Sequence, residues 1–312
     1  MLVLVTGGAG FIGSHTVEAL LEAGAWVRVF DNLSTGNRGN LPDHPKLEMQ
    51  VGDIRNPQEV NAAMQGVTHV LHLAAQVSVQ ASVEDPPTSC TQNIYGFVNV
   101  IHAACQNKVQ RFVYASSAAV YGVPEQVPLS ETSPLAPISP YGLEKYVNEQ
   151  YATLFQSLYG FSSMGLRYFN VFGPRQDPKS PYAGVISKFI ERISENKSLV
   201  VFGDGLQTRD FIYVKDIAQA NRAALEGAGT GACNIATGKA WTLLQVIDTL
   251  STCVNQTLTV EHKAPRDGDI LHSAAYNDRL KEVLGYTPQA TLAEGLTALL
   301  QSLTPSGTAS ST

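Results

Sequence analysis

The chain has 312 residues, 44% of them apolar and 15% charged, with a net charge of −6 and a pI near 5.6. That length buries a large core, either as one doubly wound domain or as such a domain with a smaller lobe. The acidic balance, with no basic tract anywhere, argues against a nucleic-acid or anionic-membrane partner.

Leu2-Val3-Leu4-Val5 reads as a short strand, Thr6 to Gly13 as a glycine turn, and the run through Leu20 and Leu21 as a helix. Gly7, Gly10 and Gly13 suit a tight turn, close approach of the backbone to a pyrophosphate at the helix N-terminus, and close packing of helix on sheet. Their spacing of three and three only loosely matches the usual dehydrogenase fingerprint, and a glycine-rich turn in any α/β protein is the plain alternative. Trp26 to Phe30 forms a second strand ending in Asp31. A carboxylate there accepts both adenosine ribose hydroxyls and repels a 2′-phosphate, which predicts NAD rather than NADP; a turn residue at a strand end is the alternative.

Further strands are expected at Leu47–Val51, His69–Leu73, Arg111–Ala115 and Ser163–Tyr168, and helices near Pro57–Met64, Thr88–Gln106 and Tyr141–Tyr159. Such alternation implies a parallel sheet covered on both faces, with ligands beyond the carboxyl ends of the strands. Asp53 and Ile54 are then candidates for the adenine, Leu73, Ala74 and Ala75 for the pyrophosphate and ribose, and Ser116 and Ser117 for the nicotinamide end. Beyond Gly173 the strands shorten (Leu199–Phe202, Phe211–Val214) among helices at Val185–Ser194, Lys215–Leu225 and Leu243–Val254. Residues 1–173 are thus expected to form the dinucleotide domain and 174–303 mainly a substrate lobe, with a disordered Ser/Thr-rich tail at 304–312. Cys90, Cys105, Cys233 and Cys253 are too scattered for a metal pair and too few for a disulfide scaffold, so reduced, buried thiols are expected. His69 and His72 lack a ligand cluster, and no metal is expected. No charged n-region, apolar h-region or run of about 18 apolar residues is seen, which predicts a cytoplasmic protein.

Tyr141 and Lys145, four apart, share one helical face. The ammonium there favours ionisation of a phenol whose pKa is otherwise about 10, and a positively charged nicotinamide ring adds to that, giving a base near neutrality; Tyr and Lys four apart by accident on an exposed helix turn is the plain alternative.

The runs TGGAGFIGSH (Thr6 to His15), DNLSTG (Asp31 to Gly36), GDIR (Gly52 to Arg55), SSAAVYG (Ser116 to Gly122), the Tyr141/Lys145 pair, RYFNVFGPRQDP (Arg167 to Pro178) and TRDFIYV (Thr208 to Val214) resemble the extended short-chain dehydrogenase/reductases. Within that family they are similar to the 4-epimerases of UDP-glucose and UDP-N-acetylglucosamine, from Val3 to about Leu300. The resemblance implies a Rossmann sheet with a smaller C-terminal α/β substrate lobe, bound NAD, a UDP-sugar substrate and a homodimer through the helices around Asn93–Cys105 and Tyr141–Tyr159. It implies that Tyr141 removes the proton of the sugar 4-hydroxyl, that Lys145 holds the nicotinamide ribose, and that Ser117 bonds the same hydroxyl. A 4-keto sugar then turns over and regains its hydride on the other face.

The resemblance extends the cofactor set to Phe11, Ile12, Asn32, Ser34, Thr35, Gly36, Asn93 and Tyr168. It places Asn170, Arg209 and Arg266 on the diphosphate, with surface ion pairs the ordinary reading of two separated arginines, and Asp269 in the same arginine-containing turn. Gly184, Val185, Val201 and Phe202 resemble the uridine cradle, although they also read as plain core. Ala118 and Ala119 stand where dehydratases and decarboxylases of the family carry acids, which disfavours elimination. Val77 replaces a lysine that some epimerases set near the cofactor phosphates, leaving NAD retention open. Ser273 stands where enzymes restricted to plain hexoses carry tyrosine; an open wall would admit an N-acetyl group, and a small loop residue is the alternative. A one-way nucleotide-sugar reductase or dehydrogenase and a non-catalytic NAD sensor are the rival readings.

Overall fold

A computed structural model describes residues 1–177, 184–265 and 270–303. In chain order it has β1 (Leu2–Thr6), α1 (Phe11–Glu22), β2 (Trp26–Asp31), β3 (Leu47–Val51), α2 (Pro57–Ala63), β4 (His69–His72), α3 (Val79–Glu84), α4 (Pro86–Cys90), α5 (Gly96–Gln106), β5 (Arg111–Ser117), α6 (Pro140–Tyr159) and β6 (Ser163–Tyr168). There follow β7 (Asn170–Phe172), α7 (Val185–Ser194), β8 (Leu199–Phe202), β9 (Thr208–Arg209), β10 (Phe211–Tyr213), α8 (Val214–Glu226), β11 (Gly231–Ile235), β12 (Trp241–Thr242), α9 (Leu243–Val254), β13 (Val260–Lys263), β14 (His272–Ser273), α10 (Asp278–Leu284) and α11 (Leu292–Leu303).

Seven strands form one parallel sheet in the order β11-β6-β5-β4-β1-β2-β3. The order reverses between β1 and β4, so a crevice opens beyond their carboxyl ends. One face of the sheet is covered by α1 and α8 around Val17, Leu20, Ile217 and Ala224, the other by α2, α5 and α6 around Val60, Phe97, Ile101 and Phe155. A third core, around Phe172, Phe189, Leu199, Val246 and Leu296, holds the C-terminal elements together.

Three expectations are corrected. The boundary at residue 173 is crossed, because β11 pairs with β6 and α8 lies on the sheet face beside α1. An edge strand of β6 would otherwise be left with unpaired backbone groups, and Gly231–Ile235 covers it. The long helix expected at Thr88–Gln106 is interrupted by a π-helical turn, Thr91–Tyr95, whose Asn93 reaches out to bond the backbone of Gln76. Of the cysteines only Cys233 is buried; all four thiols are free. The tail at 304–312 lies outside the described residues.

Candidate active site

The glycine turn between β1 and α1 is built by close approach. Gly7 takes a φ of +70°, and a Cβ on it would lie 2.7 Å from the Ala74 nitrogen; one on Gly13 would lie 2.1 Å from the Gly7 carbonyl oxygen. Only glycine fits either position. The turn therefore lies against Leu73 and Ala74 at the end of β4, across the point where strand order reverses. Gly10 caps α1 with no side-chain hydrogen bond, so the first-turn N–H groups of Phe11, Ile12 and Gly13, with the positive end of the helix dipole, face the crevice. That arrangement fits a pyrophosphate.

Asp31, at the end of β2, is 7% exposed. Its carboxylate accepts from the N–H groups of Ala9 (3.0 Å) and Leu33 (2.8 Å), and a Cβ on Gly36 would lie within 3.0 Å of both its oxygens. The carboxylate is thus locked at the turn where a ribose diol would lie. Asn32, Ser34 and Thr35 are exposed around it. Asn32 Nδ2 donates to Asp53 at 3.0 Å, and Arg55 at 2.7 Å holds the Asp53 carboxyl well below the usual carboxylate range. Ile54 is turned into the core against Gly96.

At the end of β5, Ser117 caps a 3₁₀ turn, Ala118–Tyr121, accepting from the Ala119 N–H at 3.2 Å. Helix α6 begins beside it: Ser139 caps the helix through the Gly142 N–H, Pro140 opens the first turn, and a Cβ on Gly142 would lie 2.6 Å from the Ala119 carbonyl oxygen. This contact brings the Tyr141 phenol into hydrogen-bond reach of Ser117. Lys145 Nζ lies 5.7 Å from the Tyr141 ring centroid and donates to the Ala115 carbonyl at 3.1 Å. Burial pulls the ammonium down to about 8, opposed by the charge of Glu144. The phenol departs from expectation: burial pushes it above its ordinary value, Ser117 pulls it back in part, and Glu144 adds to the rise. Removing water from a phenolate costs more than the ammonium, turned toward Ala115, returns.

In the second lobe Arg209 and Ser273 lie side by side on β9 and β14, both half-buried. Next to Arg209, the fully buried Asp210 accepts from Thr237 N–H and Oγ1 and from Gly238 N–H, fixing the strand end. Asn170 donates to the Asp210 carbonyl at 3.1 Å. Gly184 caps α7, Val185 opens it, and Phe202 ends β8 half-buried. Arg266 and Asp269 lie outside the described residues.

Besides Ile54, four candidates point elsewhere. Ser116 Oγ donates to Glu149 at 2.6 Å beneath the sheet end, and the Tyr168 phenol donates to Asn221 on α8 at 2.6 Å. Asn93 has both amide hydrogens committed, to Gln76 and Glu144. Val201 is fully buried in the third core. For β-strand residues this follows from alternation: neighbours face opposite sides of a sheet. Sequence reasoning missed the buried carboxylates Glu144, Glu149 and Asp210. Arg167 within the otherwise apolar β6 was the available signal for Glu149, since a buried charge needs a partner.

A glycine turn fitted to a pyrophosphate, a locked carboxylate for a ribose and a phenol, hydroxyl and ammonium at the next strand end but one define a dinucleotide-dependent enzyme. The chain belongs to the NAD-dependent epimerase/dehydratase family, whose model matches residues 3–236. It is 38% identical over 307 residues to a UDP-glucose 4-epimerase of Mycolicibacterium smegmatis, covering 95% of this chain and 96% of the relative. A UDP-N-acetylglucosamine 4-epimerase from Methanobrevibacter ruminantium, solved with UDP-N-acetylmuramic acid, superimposes with a TM-score of 0.93 at 39% identity over 96% of each chain. A UDP-glucose 4-epimerase of Thermus thermophilus, solved with NAD, gives 0.89 at 38% identity, covering 97% of this chain and 98% of the other.

Proposed function

We propose that this protein is an NAD-dependent UDP-sugar 4-epimerase that inverts C4 of UDP-hexoses through a 4-keto sugar. The observation that carries the reading is the Ser117–Tyr141–Lys145 cluster at the end of β5, beside a crevice built for a dinucleotide. Gly7, Gly10 and the α1 N-terminus hold the pyrophosphate of NAD, Asp31 its adenosine ribose, and Lys145 its nicotinamide ribose. When bound, NAD would supply a reversible hydride acceptor for C4, so that the reaction carries no net oxidation. Tyr141 Oη takes the proton of the 4-hydroxyl as the C–O bond becomes a carbonyl, and returns it after the sugar has turned over. Ser117 orients that hydroxyl. In the chain alone burial keeps the phenol above its ordinary value, and bound NAD would supply a positively charged nicotinamide ring to lower it. Ala118 and Ala119, on the turn after Ser117, offer no acid for a departing hydroxyl, which counts against elimination.

Arg209, with Asn170 and Arg266, holds the diphosphate, which puts binding energy on groups remote from C4 and leaves the sugar free to turn. Ser273 beside Arg209 leaves space next to the sugar 2-position, so UDP-GlcNAc and UDP-GalNAc interconvert alongside UDP-Glc and UDP-Gal. The molecule acts as a homodimer in the cytoplasm, where four free thiols are at home.

Purified protein incubated with each UDP-sugar and no added cofactor should form the 4-epimer with no net build-up of reduced cofactor. Stoichiometric reduction, or a product other than the epimer, would overturn the reading. Ser273→Tyr should suppress the acetamido pair by at least about tenfold and spare the plain hexoses; equal loss on both pairs would remove Ser273 from specificity.

A further inference from the structure

Under the first turn of α6 lies a buried polar cluster that the reaction above does not use. Glu144 is 3% exposed, and one carboxylate oxygen accepts from Ser89 Oγ at 2.9 Å and Asn93 Nδ2 at 2.6 Å. Asn93 also accepts from the Gln76 N–H at 2.8 Å and donates to the Gln76 carbonyl at 2.9 Å, while Gln76 Nε2 reaches Ser89 at 3.2 Å. Gln76 belongs to the loop that leaves β4 at the switch point. The cluster therefore joins a wall of the dinucleotide crevice to the helix that carries Tyr141 and Lys145.

An apolar side chain of this size would pack here without the cost of dehydrating a carboxylate. A retained charge points to a need for the charge. Glu144 lies three residues after Tyr141 and immediately before Lys145, and its field favours the ammonium and disfavours the phenolate. Neighbouring elements do little to cancel it. His72 on β4 is held neutral by burial, and Glu149, further along α6, is spent on Arg167 of β6. Glu84 on α3 and Asp85 at the start of α4 are exposed to water, as is His102 on α5.

We infer that Glu144 is a positioning residue for this reaction: its buried carboxylate ties the loop after β4 to the catalytic helix and sets a fixed negative charge beside Lys145 and Tyr141. This rests on the roles given to those two residues above. Glu144→Gln keeps the acceptor oxygen and removes the charge, so both the phenol and the ammonium release their protons more readily. Both limbs of the pH profile of kcat/KM should then move toward acid by roughly half a pH unit or more. Glu144→Asp keeps the charge and should keep the limbs, with lower turnover. Limbs of Glu144→Gln that coincide with wild type, or an equal shift in Glu144→Asp, overturn the inference. Should Glu144→Gln not fold, Ser89→Ala and Asn93→Ala test the tie: KM is expected to rise at least about threefold with limbs unmoved, and an unchanged KM in both overturns it. If Tyr141→Phe retained activity, the underlying assignment would fail instead; an inactive Tyr141→Phe with unmoved limbs in Glu144→Gln sinks this inference alone.

Discussion

At the scale of single residues, the phenol of Tyr141 is the test of the chemistry. In the reaction proposed above it is the base, with Ser117 and Lys145 beside it, so Tyr141→Phe should lower turnover by about 10² or more while the melting temperature and NAD binding stay near wild type. Activity within a few-fold of wild type would take the role from it. His72 carries a second prediction. Thr6 Oγ1 accepts from the N–H groups of Leu73 and Ala74 and so gives its own hydrogen to His72 Nδ1 at 2.8 Å, which leaves the imidazole neutral with its proton on Nε2. Burial, helped by Lys145, pulls its pKa down from 6.5 to about 3. As pH falls below the ordinary value, the unfolded chain binds a proton that the folded chain refuses. Stability therefore falls through this window, by up to about 1.4 kcal/mol per pH unit from His72, until the folded pKa is reached. His15 and His69, also lowered by burial, add to the trend. His72→Gln keeps an acceptor for Thr6 and should flatten the loss between pH 6.5 and pH 5 in urea unfolding by roughly 2 kcal/mol. An undiminished loss would place the proton uptake elsewhere.

At the scale of elements, α6 is held to the sheet by charge as well as by apolar packing. Arg167 on β6 grips Glu149 through Nε at 2.9 Å and Nη2 at 2.7 Å, and Ser116 and Tyr121 complete the network under the end of β5. Removing one partner strands a buried charge; removing both does not. Arg167→Met should cost about 3–5 kcal/mol in denaturant unfolding, and the double change Arg167→Met with Glu149→Leu clearly less. A double change as costly as the single one would mean that the pair is net stabilising. The charged residue inside β6 is visible in the sequence as a demand for a partner. That the partner sits on α6 is not, because 18 residues and a change of element separate Glu149 from Arg167.

At the scale of the whole molecule, α6 carries Leu143, Leu154, Leu158 and Tyr159 at 50%, 52%, 67% and 61% exposure, and Tyr95 of the π-helical turn stands at 48%. Leu143, Leu154 and Leu158 fall on one helical face, and an apolar stripe of this kind is expected to be covered in solution. The proposed homodimer would bury it. Leu154→Glu combined with Leu158→Glu should halve the mass measured by light scattering without loss of helicity; an unchanged mass would move the interface elsewhere.

The glycine turn, the first six strands, the place of Asp31 at a strand end and that of Tyr141 and Lys145 on one helix were legible because each depends on local chemistry: a φ only glycine adopts, the end of an apolar run, a helical spacing of four. Strand β11 was not, since Gly231 to Ile235 has little apolar alternation and becomes a strand by covering the edge of β6. Nor were the two-residue strands that set Arg209 beside Ser273. The facing of Ser116, Asn93 and Tyr168 away from the crevice was likewise decided by tertiary contacts with Glu149, Gln76, Glu144 and Asn221. The same holds for the proton affinity of Tyr141. A spacing of four brings an ammonium near a phenol, but only the folded chain shows how much water is removed and which carbonyl the ammonium faces, and dehydration is the larger effect.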